Sequence, residues 1–147
     1  MPIVKAIKQH KILLDTHVWL WLMMGSAKLG ASFKQAVKHS QENHGVLISI
    51  ISIWEVGMLA EKNRVQLDMD SLDWVLQALD FPGIRLVPIS PRAAIQSSRL
   101  PGVVQGDPSD RILIATAHEE NAVLVTRDEK ILEYGLDKFI SVYDPTC

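Results

Sequence analysis

The chain has 147 residues, of which 48% are hydrophobic and 22% charged, with a net charge of −2 at pH 7 and a pI of about 6.2. These values are normal for one globular domain; they exclude an intrinsically disordered chain and a protein that coats nucleic acid by positive charge alone. The single cysteine, Cys147, permits no internal disulfide, so a reducing, cytoplasmic location is expected.

The N-terminal residues 1–11 carry three lysines and are followed by no uncharged apolar core of signal-peptide length. We therefore expect a short N-terminal extension at 1–11 and a single domain at 12–147. The longest apolar stretch is interrupted by Asp15 and His17, and it is shorter than the roughly 20 residues of a membrane span. No membrane association is expected.

Strand-like and helical runs alternate along the chain. In the first half of the chain the sequence predicts a strand at Ile12–Leu14, a helical run at 18–24, an amphipathic helix from Leu29 that ends before Asn43, a strand at 46–48, a helix after Ser49 that reaches about Asn63, and a helix at Ser71–Leu79. In the second half it predicts a strand at 84–89, a helix that starts at Ser90-Pro91, and a helix that starts at Asp107-Pro108 and reaches about Glu120. A strand at 122–126, a short helix at 129–133 and a strand at 139–142 complete the prediction.

Short apolar strands separated by helices require right-handed crossover connections, which produce a mostly parallel sheet. Strands of this kind are buried on both faces, so helices must cover the sheet on each side. The predicted fold is therefore a three-layer α/β/α sandwich. In such open sheets the functional crevice lies beyond the carboxyl ends of the strands.

Four separate parts of the sequence place an acid near that edge. Asp15 follows the first predicted strand, and Asp128 lies two residues past the fourth. Asp110 lies in the first turn of the helix that leads into the fourth strand. Glu55 lies about two turns into the helix after the second strand.

These acids also have structural interpretations. Asp107, close to Asp110, is favoured as the N-cap of its helix, and Asp110 suits a first turn because of the helix dipole. Asp128 could cap the short helix that follows it, and Asp15 could be an acid in a turn.

Glu55 is harder to explain by structure alone, because it lies in the nearly all-apolar run 50–59, which predicts a largely buried helix. A buried carboxylate needs a cation or a proton, and Arg111 or Arg127 could supply a salt bridge. A cluster of carboxylates instead favours a metal ion between them, and hard oxygen ligands suit Mg²⁺ or Mn²⁺. The histidines show no zinc-binding pattern, and no glycine-rich phosphate loop or nucleophile elbow is present.

Four motifs occur in an order that is similar to a known family. They are LLDTHVWLW at 13–21, IS at 48–49 with WEV at 54–56, DPSDRILIATA at 107–117, and LVTRD at 124–128. Together they resemble the PIN-domain family and, within it, the VapC-type toxins of bacterial toxin–antitoxin pairs. The resemblance runs from Ile12 to the final predicted strand.

The resemblance implies an endoribonuclease that depends on Mg²⁺ or Mn²⁺, forms a homodimer and is held inactive by a small antitoxin. It implies that the catalytic and metal-binding acids are Asp15, Glu55, Asp110 and Asp128. It implies supporting roles for Thr126 and Thr16. Apart from the resemblance, Arg111 is expected to support the site, and either Arg111 or Arg127 could contact the RNA backbone. Relatives often carry His where this chain has Gln105, which puts an imidazole contribution at this edge in doubt. The class of RNA that is cut stays open.

Two other functions compete with the nuclease. A phosphatase with an aspartyl nucleophile would need an acid two residues after Asp15, where His17 stands. A non-catalytic PIN-like module that binds RNA or protein would be favoured by loss of an acid, whereas all four are present.

Large apolar side chains after the first strand and on two later helices predict interaction surfaces. They are Trp19, Leu20, Trp21, Leu22, Met23, Met24, Trp54, Met58 and Trp74. They are more numerous than one buried helix face requires, and the domain's own core could bury several of them. Those that remain exposed would form a groove or patch, and extended exposed apolar patches mark interfaces. We expect this surface to form the homodimer and to bind an antitoxin helix, with an antitoxin arginine reaching the carboxylates.

Overall fold

The computed structural model describes residues 11–43, 45–102, 106–137 and 139–147; residues 1–10 of the predicted extension and Gln105 lie outside these ranges. In chain order the elements are β1 (Ile12–Leu14), α1 (Thr16–Met24), α2 (Ala31–Asn43), β2 (Val46–Ser49), α3 (Ile50–Glu61), α4 (Ser71–Leu79), β3 (Ile84–Val87), α5 (Pro91–Gln96), α6 (Pro108–Glu120), β4 (Val123–Val125), α7 (Glu129–Tyr134), a 3-10 turn (Gly135–Asp137) and β5 (Ser141–Tyr143). Within these ranges, every helix is too short or too polar to cross a membrane.

The five strands form one sheet in the order β3-β2-β1-β4-β5, and all four pairings are parallel. This confirms the predicted sheet, which was expected to be mostly parallel and is fully parallel. The chain first builds β2 and β3 on one side of β1 and then returns to add β4 and β5 on the other. The strand order therefore reverses between β1 and β4, and a crevice opens beyond their carboxyl ends.

Two apolar layers flank the sheet because successive side chains of a strand point to opposite faces. Ile12 and Leu14 of β1 pack with the buried side chains of α1 to α4, whereas Leu13 packs with α6 and α7. Each face of the sheet is thus covered by helices, which confirms the three-layer sandwich.

Two strand boundaries differ from the predicted ones by two residues, and the other strand boundaries agree to within one residue. β3 stops at Val87, because Pro88 has no backbone N–H to donate to a neighbouring strand. β5 begins at Ser141, two residues later than predicted, and Phe139 instead stacks on His118 with ring centroids 4.0 Å apart.

The expectation that the all-apolar helix α3 is largely buried was wrong. Only Ser52 and Val56 of α3 are buried, and Trp54 is 59% exposed. One side of the helix covers the sheet, while its other apolar side faces outward. In α1, by contrast, Trp19 is fully buried and packs edge-on against the buried Trp74 of α4, with ring centroids 5.3 Å apart. These two side chains therefore belong to the core and not to the predicted interaction surface.

Candidate active site

Asp15 stands where β1 ends and is held there by hydrogen bonds from both sides. Its backbone N–H donates to the Val125 carbonyl at 2.9 Å, so the strand pairing itself sets its position. Its Oδ1 accepts from the Thr16 amide at 2.7 Å, and Asp15 thereby caps α1. Its Oδ2 accepts from the Thr126 hydroxyl at 2.7 Å.

The Thr126 hydroxyl links the ends of β1 and β4. While donating to Asp15, it also accepts the backbone N–H of Asp128 at 3.0 Å. Thr126 is fully buried, so both contacts are shielded from water. Asp128 is in turn the N-cap of α7, and its Oδ1 accepts the amides of Lys130 and Ile131. The capping interpretation of Asp128 is correct, and the cap lies beside Asp15.

Glu55 of α3 lies at the same edge, where two linked hydroxyl groups hold its carboxyl group. The Thr16 hydroxyl donates to Glu55 Oε1 at 2.7 Å and lies 2.9 Å from the hydroxyl of Ser52. Because a hydroxyl carries one proton, Ser52 must be the donor in the second contact. Thr16 and Ser52 are both fully buried, so they hold Glu55 in one position.

The first turn of α6 contributes the remaining acid. Asp107 Oδ1 accepts the Asp110 amide at 3.1 Å and the Ser109 hydroxyl at 2.8 Å, which confirms Asp107 as the N-cap. The backbone of Gly106 lies against the Asp110 carboxyl: a Cβ at residue 106 would come within 3.1 Å of Asp110 Oδ2. Glycine at this position lets its own backbone approach the carboxyl closely.

The carboxyl groups at this edge raise one another's pKa values. Burial, and then repulsion from Asp107, Asp15, Asp128 and Glu55, raises the pKa of Asp110 to about 7. Burial also raises the pKa of Asp15 against its hydrogen bonds from Thr126 and Thr16. Burial likewise raises the pKa of Glu55, and the charges of Asp15 and Asp107 add to the effect.

Asp107 differs from the other acids. Burial acts to raise its pKa, but the hydrogen bonds from Ser109 and Asp110 outweigh burial and hold the pKa below its usual range. Asp107 is therefore ionised at neutral pH, and its negative charge helps to raise the pKa of Asp110.

The structure brings the four predicted acids and the two predicted threonines to one edge of the sheet. Within the described ranges, no three His, Cys, Asp or Glu side chains are close enough together to hold a metal ion as they stand. Arg127 pairs with Asp144, with 3.4 Å between Nη1 and Oδ2, and does not form the alternative salt bridge with Glu55. Arg111 follows Asp110 on α6 and is half-buried.

Three residues of the site were missed by sequence reasoning. Ser52 supports Thr16, Gly106 makes room for Asp110, and Ser109 contacts both Asp107 and Glu55. A serine between the two aspartates of the DPSD motif is the one sequence signal that could have found any of them.

The fold and this carboxylate edge define the class of protein. The PIN domain matches residues 12–136, and the chain belongs to the PIN-domain family. Among curated proteins it is similar to Ribonuclease VapC22 of Mycobacterium tuberculosis, with 33% identity over 132 residues that cover 90% of this chain and 98% of the relative.

Solved structures agree on the fold. A toxin-antitoxin complex from Klebsiella pneumoniae contains a chain with 24% identity and a TM-score of 0.62, covering 91% of this chain and 97% of that one. The DNA-bound VapBC of Salmonella typhimurium contains a chain with 18% identity and a TM-score of 0.66, covering 94% and 99%.

Proposed function

We propose that this protein is a divalent-metal-dependent endoribonuclease and the toxin of a toxin–antitoxin pair. The observation that carries the proposal is the convergence on Asp110 of the charges of Asp15, Glu55 and Asp128, from three other parts of the chain. The 33% identity to a protein named as a ribonuclease supports RNA as the substrate. The similarity to chains of toxin–antitoxin complexes supports the regulatory context.

The donor set fits Mg²⁺ or Mn²⁺, which prefer hard oxygen ligands. Asp15, Glu55, Asp110 and Asp128 repel one another, and a cation between them removes that repulsion. We assign the direct ligand roles to Asp15 and Asp110, with Glu55 and Asp128 completing the set. A bound divalent ion would polarise a phosphate oxygen and promote ionisation of a water molecule.

The protein's own side chains set the geometry of the site. Thr126 holds Asp15 and the backbone of Asp128 at a fixed separation, and Thr16 fixes Glu55. Because these hydroxyls are buried, the carboxylates cannot swing away from the crevice without breaking shielded hydrogen bonds. Arg111, at the start of α6, is assigned to the RNA backbone.

Two protein partners belong to the proposal. A second copy fits the exposed apolar side of α3, where Ile51, Trp54 and Met58 line a cavity of about 450 Å³ together with Pro108. The other proposed partner is an antitoxin whose arginine pairs with the carboxylates. This surface adjoins the crevice, because Asp107 and Ser109 also line the cavity.

Cleavage by purified protein, freed of any partner, tests the function. Single-stranded and structured RNA should be cut in Mg²⁺ or Mn²⁺, and EDTA should stop the reaction. Asp15→Asn and Asp110→Asn should each reduce the rate by about two orders of magnitude or more, because each removes a charged ligand. Glu42→Gln, an exposed acid on α2, is the matched control and should keep the rate.

Three outcomes would contradict the function. Cleavage that persists in EDTA would rule out the metal-dependent mechanism. Cleavage that is lost only when a histidine is replaced would place the chemistry elsewhere. RNA binding without cleavage, in either metal, would instead support the non-catalytic module.

A further inference from the structure

An ion pair lies where β4 and β5 end, beside the acidic crevice. The Thr126 amide donates to the Tyr143 carbonyl at 3.0 Å, so the chain leaves the two paired strands at the same level. Arg127 and Asp144 follow these residues, with 3.4 Å between Nη1 and Oδ2. The guanidinium of Arg127 therefore lies at the same sheet edge as its neighbour Asp128, on the β5 side of the acids.

The carboxylate of Asp144 is itself held in place by a local turn. Its Oδ1 accepts the amide of Thr146 at 2.9 Å and the hydroxyl of Thr146 at 2.7 Å, which leaves Oδ2 for the guanidinium. The side chain of Asp144 is 21% exposed, whereas that of Arg127 is 47% exposed. A guanidinium has five N–H donors in a planar fork, and one carboxylate oxygen cannot use all of them. The pair thus fixes Arg127 and leaves it donors for a second anion.

Lys130 is a second cation on this side of the crevice. Its backbone amide donates to Asp128 Oδ1 at 2.8 Å, which ties the first turn of α7 to the acidic edge. Burial acts to raise the pKa of Asp107 at the start of α6, and the charge of Lys130 is among the influences that lower it, so the exposed Lys130 side chain lies near α6. Lys130 forms no ion pair with any residue in the described ranges, and its ammonium group can bind another anion.

We propose that Arg127 and Lys130 bind the RNA backbone on the β5 side of the crevice and that Asp144 is the positioning residue for Arg127. This inference rests on the proposed function, in which RNA is the substrate. Each phosphate of an RNA strand carries one negative charge, and Arg and Lys are the side chains that most often neutralise it. The scissile phosphate lies over the acids, and the two cations bind neighbouring phosphates.

Charge favours this side of the crevice over the side formed by α3. Helix α3 contains two acids, Glu55 and Glu61, and no Lys or Arg. The segment 127–130 contains two cations and two acids, and one of those acids is the proposed metal ligand Asp128. A divalent ion on Asp128 would make this segment net positive. An RNA backbone is therefore attracted to the α7 side, while the apolar α3 side stays available for a second copy.

Removal of Asp144 separates positioning from simple charge. By charge alone, loss of one negative charge close to a phosphate should tighten RNA binding about twofold. If Asp144 positions Arg127, Asp144→Ala should instead weaken binding about threefold or more, because an unfixed Arg127 side chain loses conformational freedom on binding. Asp144→Glu keeps the carboxylate and should restore most of the affinity. Thr146→Val removes a hydrogen bond to Asp144 and no charge, and it should also weaken binding.

Fluorescence anisotropy measures the binding of a labelled single-stranded RNA of about 12 nucleotides in Mg²⁺. Every variant is made in an Asp110→Asn background, so that the RNA is not cleaved during the measurement. Arg127→Gln and Lys130→Gln should each weaken binding about threefold to tenfold. Each should also lower the slope of log Kd against log salt by about 0.7, because each removes one contact with a phosphate of a single strand.

Two exposed or paired charges far from the crevice provide matched controls. Glu120 pairs with Lys11 at the same 3.4 Å distance, but at the amino-terminal end of the sheet. Arg92 is exposed at the start of α5, where Ser90 contacts Glu119 near the end of α6. Glu120→Gln and Arg92→Gln should each leave the Kd for RNA within about twofold. Thermal melts of all variants check that each protein is folded.

Cleavage by chains with an intact acidic site gives a second measurement. Asp144→Ala should raise KM about threefold and leave kcat within about twofold, since it weakens binding of substrate and transition state alike. Equal or tighter RNA binding by both Asp144→Ala and Thr146→Val overturns the positioning role. Unchanged salt slopes in Arg127→Gln and Lys130→Gln overturn the RNA contact.

The two measurements also separate this inference from the proposed function. If the wild-type chain cleaves RNA while the Arg127, Lys130 and Asp144 variants bind RNA normally, the inference is wrong and the function stands. If the wild-type chain binds RNA without cleaving it and these variants weaken binding as expected, the inference stands and the function fails. Absence of RNA binding by the wild-type chain overturns the inference.

Discussion

Replacing Asp110 by asparagine should stabilise the metal-free protein at neutral and alkaline pH. Burial and the neighbouring carboxylates raise the pKa of Asp110 from its ordinary value of 3.8 to about 7 in the fold. Between these values the folded protein holds a proton that the unfolded chain has lost, so stability falls as the pH rises through this range. The shift corresponds to at most about 4 kcal/mol, and solvent screening of this half-buried group reduces it to about 2 kcal/mol.

Thermal and urea unfolding in EDTA, from pH 5 to pH 9, measure the effect. At pH 8, Asp110→Asn should melt about 4–8 °C above the wild type, and its stability should depend less on pH. At pH 5 the gap should be about a third as large, because Asp110 is then protonated in the fold and only the unfolded chain has lost the proton. A saturating divalent ion should narrow the gap at pH 8 by binding the wild type more strongly. A variant that is less stable than the wild type at pH 8 in EDTA would refute the account of mutual repulsion.

Three further changes probe the hydrogen bonds of the site. Asp107→Ala should lower the free energy of unfolding by about 0.5–2 kcal/mol, because the helix loses its N-cap. A large loss of the RNA cleavage rate without destabilisation, measured on the same samples, would show that the cap was assigned wrongly. Thr126→Val should cost about 1–3 kcal/mol in urea unfolding because it leaves Asp15 Oδ2 without its donor, whereas Thr126→Ser should cost less. Ser109→Ala should weaken Mn²⁺ binding about tenfold in calorimetry, because Glu55 loses a contact that fixes its position, while the KM for RNA stays unchanged. Ser109→Thr should restore the Mn²⁺ affinity. An unaltered Mn²⁺ affinity in Ser109→Ala would show that Ser109 does not support the site.

Local signals explain why much of the fold could be predicted from the sequence. The helix Ser71–Leu79 was predicted with its observed bounds because Asp70 caps its first amides. The acids at the strand ends could be placed together because parallel strands bring their carboxyl ends to one edge.

Tertiary contacts account for what could not be predicted. The contact of Ser109 with Glu55 depends on how α6 approaches α3, which no local pattern encodes. The exposure of Trp54 was missed because an all-apolar helix has the same sequence pattern whether it is buried in its own domain or against another molecule. The order of the strands in the sheet was likewise beyond the local periodicity.

The hydrogen bond between Thr126 and Asp15 spans 111 positions of the chain, and β1 pairs directly with β4. Such distant pairings carry a loop-closure cost and form slowly. During synthesis, β1 and Glu55 leave the ribosome well before Asp110 and β4, so a partly made chain has no complete acidic site. A chain cut short before β4 lacks Asp128 and the hydroxyl that holds Asp15. The order of synthesis thus postpones assembly of the acidic site until most of the domain is available to fold.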